Sequence, residues 1–222
     1  MRYGLVDAGN SRLKAGIADG DSIIRTAVFS YDDMDSLSEF LSGSDIVAVS
    51  SVRGDFDPGV PEKRILRLGY DNSLVRLNYA ETLGSDRIAK AHFARFSLGE
   101  LSLIIDFGTA TVIDLAGEEF YGGVILPGAG LWLSSLGKGT HLLPDVRLKK
   151  VESNMGHTTD EAILAGLFEG IKAIVSHFSR IYPHRVRVAT GGFYPYFREF
   201  LHDFVHEPFA VIRGLYEWVK RV

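Results

Sequence analysis

Tyr3-Gly4-Leu5-Val6-Asp7-Ala8-Gly9-Asn10-Ser11 and Leu103-Ile104-Ile105-Asp106-Phe107-Gly108-Thr109-Ala110-Thr111 follow one pattern. Each is a short apolar run that reaches an aspartate, one spacer, a glycine and then a small polar residue. In both copies a second strand-like stretch follows, Leu13 to Ala18 and Ala110 to Leu115. Glycine tolerates the backbone angles a tight bend demands, so each copy reads as a β-hairpin. Asp and Gly are common in any turn. The shared strand–Asp-x-Gly–polar–strand order favours a duplication over chance.

Around these hairpins, strands and helices alternate. Met34 to Ser42 reads as a short helix, Asp45 to Val52 as a buried strand, Asp86 to Phe96 as a helix, and Val186 to Thr190 as a strand closed by Gly191-Gly192. Pro58, Gly59 and Pro61 mark a loop, and Asn72 to Ala80 reads as irregular. The alternation argues for an α/β protein. The longest helix is expected from Thr159 to Ile181, opened by a capping box of Thr158 with Glu161. Ile163, Leu167, Ile171, Ile174/Val175 and Phe178 form its apolar stripe, with Ala162, Gly166, Gly170 and Ala173 as a small-residue line beside it. Glycine inside a helix costs about 1 kcal/mol against alanine. The small line therefore suggests close packing, on the chain's own sheet or on a partner helix across a dimer.

Composition narrows the function classes. The 222 residues are 46% hydrophobic and 23% charged, enough to bury a core. The net charge of −4 gives no basic field for nucleic acid or an anionic membrane. The absence of cysteine excludes disulfide scaffolds, zinc knuckles, iron–sulfur centres and thiol catalysis. No stretch reads as a signal peptide, and none approaches the roughly 18 apolar residues of a membrane span. The expected setting is the cytoplasm.

Walker A, protein-kinase, H-E-x-x-H and G-x-S-x-G patterns are all missing; Gly137-Lys138 is followed by Gly139. What remains is a set of acid–glycine turns. A strand that ends in Asp before a glycine bend aims a carboxylate and several N–H groups at one space. The amides can hold phosphate oxygens and the carboxylate a cation. Asn10, Ser11 and Lys14 add donors at the first turn, Thr109 and Thr111 at the second. Two related turns suggest a cleft between two halves with phosphate bound from both sides. Gly84-Ser85-Asp86-Arg87 is a third acidic turn, at a helix start, where Ser85 or Asp86 as an N-cap is the plain structural alternative. Gly122-Gly123-Val124-Ile125-Leu126-Pro127-Gly128-Ala129-Gly130-Leu131 reads as a glycine-rich strand–turn, and Gly191-Gly192 after Thr190 as another place where a small residue is expected near a ligand.

Taken together, Asp7-x-Gly9-Asn10-Ser11-x-x-Lys14, Gly84-x-Asp86-Arg87, Asp106-x-Gly108-Thr109-Ala110-Thr111 with Asp114, and Gly122-Gly123-x-Ile125-x-Pro127-Gly128 resemble type III pantothenate kinase. Ser134-Ser135-Leu136, Thr140, Leu143-Pro144, the Thr159–Gly166 helix start and Thr190-Gly191-Gly192 extend the likeness in the same order. The resemblance implies a duplicated actin-like (acetate kinase/sugar kinase/Hsp70-type) α/β fold, with residues 1–100 and 101–222 as the two halves. It implies ATP-dependent phosphorylation of the primary hydroxyl of pantothenate, the first step towards coenzyme A, by a Mg²⁺-dependent homodimer that uses K⁺ or NH₄⁺.

Carried over by motif, Asp7, Ala8, Gly9, Asn10, Ser11, Arg12, Leu13 and Lys14 form the first phosphate loop, with Asp7 near the Mg²⁺ and Thr109 also touching ATP phosphates. Asp86 is the general base. Gly84, Ser85, Asp86 and Arg87 line the pantothenate site together with Tyr79. Thr159 reaches pantothenate from the neighbouring subunit, and Asp106 holds the monovalent cation. The chain departs from the family at Thr158-Thr159, where Asn-Thr is usual, and at Asn78 to Leu83, a shorter loop without the family's proline. Loops are also trimmed near Pro58 and Leu68. Two rival readings share the turns: a phosphohydrolase of the same fold and a non-catalytic nucleotide-binding regulator.

Overall fold

The computed structural model describes the whole chain except Asp55, Pro61, Glu62, Lys63 and Glu152. Of the Pro58-Gly59-Pro61 loop, Pro61 therefore lies outside the described residues. Two compact units are present. The first comprises Met1–Ser102, Ala116–Gly122 and Phe209–Val222, and the second Leu103–Leu115 and Gly123–Pro208. The first unit takes in two segments, Ala116–Gly122 and Phe209–Val222, that follow residue 101 in the chain.

The first unit is built on β1 (Arg2–Ala8), β2 (Leu13–Asp19), β3 (Ser22–Phe29), β4 (Ile46–Ser51) and β5 (Arg64–Arg67), with α1 (Met34–Leu41) between β3 and β4. Their order is β3-β2-β1-β4-β5. The three strands β1 to β3 meander antiparallel, and β4 and β5 run parallel to β1. The centres of β1, β2 and β4 are largely apolar, with Leu5, Val6, Ala15, Ile17, Val47 and Val49 buried.

The second unit is built on β7 (Ser102–Phe107), β8 (Ala110–Ala116), β9 (Glu119–Pro127), β10 (Val186–Thr190) and β11 (Val205–His206). Their order is β11-β10-β7-β8-β9, which is the order of the first sheet read from its other end. Each unit thus places its first strand between its second and fourth, so the echo read in the hairpins is a duplication of topology. Between Asn72 and Ala80, expected to be irregular, the two-residue β6 (Arg76–Leu77) pairs with the start of β9.

Helix α3 (Ala129–Gly139) packs on α4 (Thr159–Ile181), whose bounds match the expected ones. By length and composition α4 could cross a bilayer. Its stripe of Ile163, Leu164, Leu167, Ile171 and Val175 is instead buried in the second unit's core, as a soluble core helix requires. Thr158 accepts from the Glu161 N–H, as the capping box predicts. The Glu161 carboxylate also accepts from the N–H of His157 (2.9 Å), one residue before the cap. A Cβ on Gly170 would stand 3.1 Å from the chain's own Trp132 ring, whereas nothing lies within 4 Å of one on Gly166.

Helix α2 (Ser85–His92) ends four residues earlier than the sequence suggests. It widens into a π-type turn over Phe93–Leu98 and stops at Gly99 in the left-handed region. After the short α5 (Tyr194–Phe197), helix α6 (Ala210–Val219) lies on α2, β1 and β4. A Cβ on Gly214 would stand 1.7 Å from the Ala89 carbonyl oxygen, so the two helices meet backbone to backbone. Trp218 donates to the Asn72 carbonyl (2.9 Å) and Tyr216 to that of Gly20 (2.9 Å), fixing α6 at both sides.

At the far end of α2, His92 is fully buried. Its Nε2 accepts from the Leu74 N–H (3.0 Å) and Nδ1 donates to the Ile88 carbonyl (2.8 Å), which fixes a neutral tautomer. Burial pushes its pKa down to about 4, helped by the Arg221 charge and opposed by the bond to Ile88. The unfolded chain titrates near 6.5, so between the two values it binds a proton that the folded chain refuses. This contribution is complete above pH 6.5 and is lost as the pH falls towards 4, an effect of about 3 kcal/mol. In urea melts at pH 7 and 4.5, His92→Gln should remove most of that pH dependence. An identical drop in wild type and variant would take His92 out of the effect.

Candidate active site

In the first unit β1 delivers Asp7 and Ala8 to the turn Gly9–Arg12, closed by the Gly9 N–H on the Arg12 carbonyl (3.2 Å). The Tyr31 phenol donates to the Gly9 carbonyl at 2.5 Å. Burial raises that phenol's pKa, against the pull of the Arg53 guanidinium 4.0 Å from the ring centroid. Asp7 is nearly buried, and Asn10, Ser11 and Arg12 are exposed. Ala8 and Leu13 are core residues that offer a ligand only backbone. Lys14 Nζ lies 6.0 Å over the Phe209 ring.

The parallel pairing of β1 with β4 sets Asp7 opposite Ser50 and Ala8 opposite Ser51. Ser85 ties the start of α2 to this same edge. Its hydroxyl lies 2.9 Å from the Ser50 hydroxyl, accepts from the Ser51 N–H (3.0 Å) and donates to the Ser51 carbonyl (3.1 Å). Ser85 is thus a cross-strand tether rather than a helix cap. The N-cap of α2 is Gly84, with no side-chain cap, and Asp86 lies within the first turn. The structural alternative weighed for Ser85 and Asp86 is therefore absent from the fold.

Asp86 is held on two sides. A Cβ on Gly84 would stand 2.6 Å from its Oδ1, so residue 84 must be glycine for the carboxylate to sit there. Its Oδ2 faces Lys90 Nζ at 3.7 Å. The Lys90 side chain is 1% exposed and that of Asp86 26%, so the ammonium is buried behind a carboxylate that water reaches. Arg87 is buried, its guanidinium carbon 5.0 Å from the Tyr79 ring centroid and 5.2 Å from that of Phe120. Tyr79 and Phe120 meet edge to face, and the Tyr70 hydroxyl donates to the Tyr79 carbonyl (2.8 Å). The fold therefore brings Tyr79, Gly84, Ser85, Asp86 and Arg87 together. Lys90 and Phe120 belong to the same cluster and were missed. The i,i+4 spacing of Asp86 and Lys90 was the available signal for the lysine. Nothing in the sequence announces Phe120.

In the second unit, Gly108 and Thr109 form the two-residue link between β7 and β8, with the Gly108 N–H on the Ala110 carbonyl (3.1 Å). Two distant glycines clasp this turn. The Gly128 N–H donates to the Thr109 carbonyl (3.1 Å), and a Cβ there would stand 2.3 Å from both the Gly108 and Thr109 oxygens. Gly191, at φ +94°, would carry a Cβ 2.5 Å from the Phe107 carbonyl carbon and 2.6 Å from Asp106 Oδ1. Three glycine motifs distant in the chain thus form one constellation around Asp106, which is half-buried. Thr159, also in this unit, is the exposed first residue of α4.

The donor sets suit two kinds of cation. No group of three or more His, Asp or Glu side chains that could cage a metal occurs among the described residues. Mg²⁺ in phosphoryl transfer needs one or two carboxylates and takes its other ligands from phosphates and water, and Asp7 beside its turn fits that demand. Asp106, its Oδ1 against bare backbone where a side chain would block approach, fits a single larger cation.

A duplicated actin-like α/β fold, with acid–glycine turns at strand ends and a carboxylate at a helix start, supplies the parts that a nucleotide-dependent phosphotransferase needs. The fold is shared with a conserved Baf family protein from Campylobacter jejuni (21% identity, TM-score 0.68, 98% of both chains covered). It is shared as well with the activator of the 2-hydroxyisocaproyl-CoA dehydratase from Clostridium difficile with bound ADPNP (15% identity, TM-score 0.62, 99% of this chain and 95% of that one). The type III pantothenate kinase family model matches residues 63–180. The type III pantothenate kinase of Aquifex aeolicus is 31% identical over 97% of this chain and 96% of its own length, and that of Legionella pneumophila 30% over 95% of each. The chain belongs to the type III pantothenate kinase family.

Proposed function

We propose that this chain moves the γ-phosphoryl group of ATP to the primary hydroxyl of pantothenate, with Asp86 accepting the hydroxyl proton. The observation that carries the reading is the Asp86 carboxylate: water-accessible, with room for it beside Gly84, faced by Lys90, and outside the N-cap position. As the pantothenate oxygen bonds to phosphorus and the bond to ADP breaks, the proton passes to Asp86. The transition state is loose, so a weak base held in place is sufficient. Arg87, set over Tyr79 and Phe120, supplies a fixed positive charge one residue away for the pantothenate carboxylate. The Asp7–Lys14 and Gly108–Thr109 turns supply N–H and hydroxyl donors to ATP phosphates. Asp7 would hold Mg²⁺ and Asp106 a monovalent cation, K⁺ or NH₄⁺, and these charges would offset that of the phosphates.

We further propose a cytoplasmic homodimer in which Thr159 reaches the neighbouring subunit's pantothenate, and residues 1–100 and 101–222 as the duplicated halves. A monomer mass in light scattering at micromolar concentration would remove the dimer.

The deciding assay is coupled ADP release with pantothenate and a panel of small hydroxy acids. Release that requires pantothenate is expected. Pantothenate-independent release favours a phosphohydrolase, and no release a regulator. In the same assay the rate in Na⁺ should be much lower than in K⁺ or NH₄⁺, and Asp106→Asn should raise the KM for ATP and abolish that difference. Equal wild-type rates in all three salts would take Asp106 out of cation binding.

A further inference from the structure

Lys90 contacts neither substrate in the reaction described above, yet its ammonium faces the Asp86 carboxylate. Burying an ammonium costs several kcal/mol even when it is paired, and an apolar residue of similar volume is often neutral or stabilising in such a place. Stability alone is thus a poor reason for a lysine 1% exposed in the middle of α2. Its position relative to the carboxylate supplies a better one. Asp86 Oδ1 lies in the space left by the missing side chain of Gly84, and Oδ2 faces the ammonium at 3.7 Å. A carboxylate on a helix surface otherwise turns about its last side-chain bond. Here the space beside Gly84 admits Oδ1, and the opposite charge of Lys90 favours the orientation that turns Oδ2 towards it. The helix supplies the spacing, since residues i and i+4 share a face, and Ser85 supplies the anchorage through Ser50 and Ser51.

We propose that Lys90 is a positioning residue for phosphoryl transfer, holding the Asp86 carboxylate in the orientation that accepts the pantothenate proton. The proposal rests on the assignment of Asp86 as the base. Lys90 touches no reacting atom; it acts through Asp86, and its loss should appear as misplacement of the base. Misplacement by about 1 Å is enough to cost 10²-fold in rate.

The test is a double-mutant cycle on the full-length enzyme, with ADP release measured at saturating ATP and pantothenate and melting temperatures measured in parallel. Lys90→Met should lower kcat by about 10–100-fold with little change in either KM, and leave the melting temperature equal or higher. Lys90→Arg, which restores a cation, should recover part of the rate. In the Asp86→Asn background, Lys90→Met should cause no further loss, because the group it positions is already gone. A Lys90→Met enzyme with wild-type kcat overturns the proposal. So does a loss of equal factor in both backgrounds, which marks a structural role. A wild-type rate in Asp86→Asn alone would instead overturn the base assignment itself. Where Lys90→Met does not fold, Lys90→Gln, of similar length and without charge, takes its place in the cycle under the same criteria.

Discussion

Asp86→Asn should lower kcat by about 10²–10⁴ while the enzyme stays folded and still binds ATP. Asparagine keeps the size and shape of the side chain and caps helices about as well as aspartate. A capping role would therefore leave the variant near normal. The structure sharpens the contrast, since the N-cap of α2 is Gly84 and Asp86 makes no cap bond. The substitution also removes the carboxylate facing the buried Lys90, so some stability is lost with it. Rates should accordingly be measured well below the variant's melting temperature. The loss belongs in kcat rather than KM, because the proton is accepted only as the phosphoryl group moves. ATP affinity, read by titration of the free enzyme, should be little changed. A near-normal kcat would leave the base unassigned.

Gly214→Ala should be the most damaging single-methyl change in the first unit. The added carbon would stand 1.7 Å from the Ala89 carbonyl oxygen and 2.4 Å from its carbon. These are backbone atoms within α2 and cannot step aside as a flexible side chain can. Helix α6 must lift from α2, and with it go the packing of Leu215 and Trp218, both almost fully buried. Overpacking of this kind costs about 3 kcal/mol or more. For a chain of this length that is a fall in melting temperature of roughly 10 °C. Activity should fall too, since α2 carries Asp86. Circular dichroism melts settle the point. An unchanged melting temperature would mean that the two helices do not meet backbone to backbone at Ala89.

Much of the architecture is local and therefore legible in the sequence. The apolar runs ending in Asp7 and Asp106 predict strands because β-branched and apolar residues fit a covered pleated surface. The Asp-x-Gly bends predict the hairpins, and their repetition predicts the duplicated order that both sheets show. Helix α4 is legible to the residue because its stripe has a 3.6-residue period and its N-cap, Thr158, lies next to it in the chain. The acidic turns are legible as candidate sites for the same reason: carboxylate, glycine and hydroxyl stand within a few residues of one another.

Other features depend on residues far apart in the chain, and there the sequence carries no signal. Ser85 reads as a helix cap by its position, but tertiary pairing gives its hydroxyl to Ser50 and Ser51, 35 and 34 residues away. Lys90 stands four residues after Asp86, a spacing the sequence shows, but the burial of its ammonium is set by the fold alone. Gly128 and Gly191 read as separate glycine turns until the fold brings both against the Asp106 turn. A residue's period and its neighbours in the chain determine which element it joins. Which atoms meet when elements pack depends on backbone approaches of a few ångströms, and only the folded chain sets those.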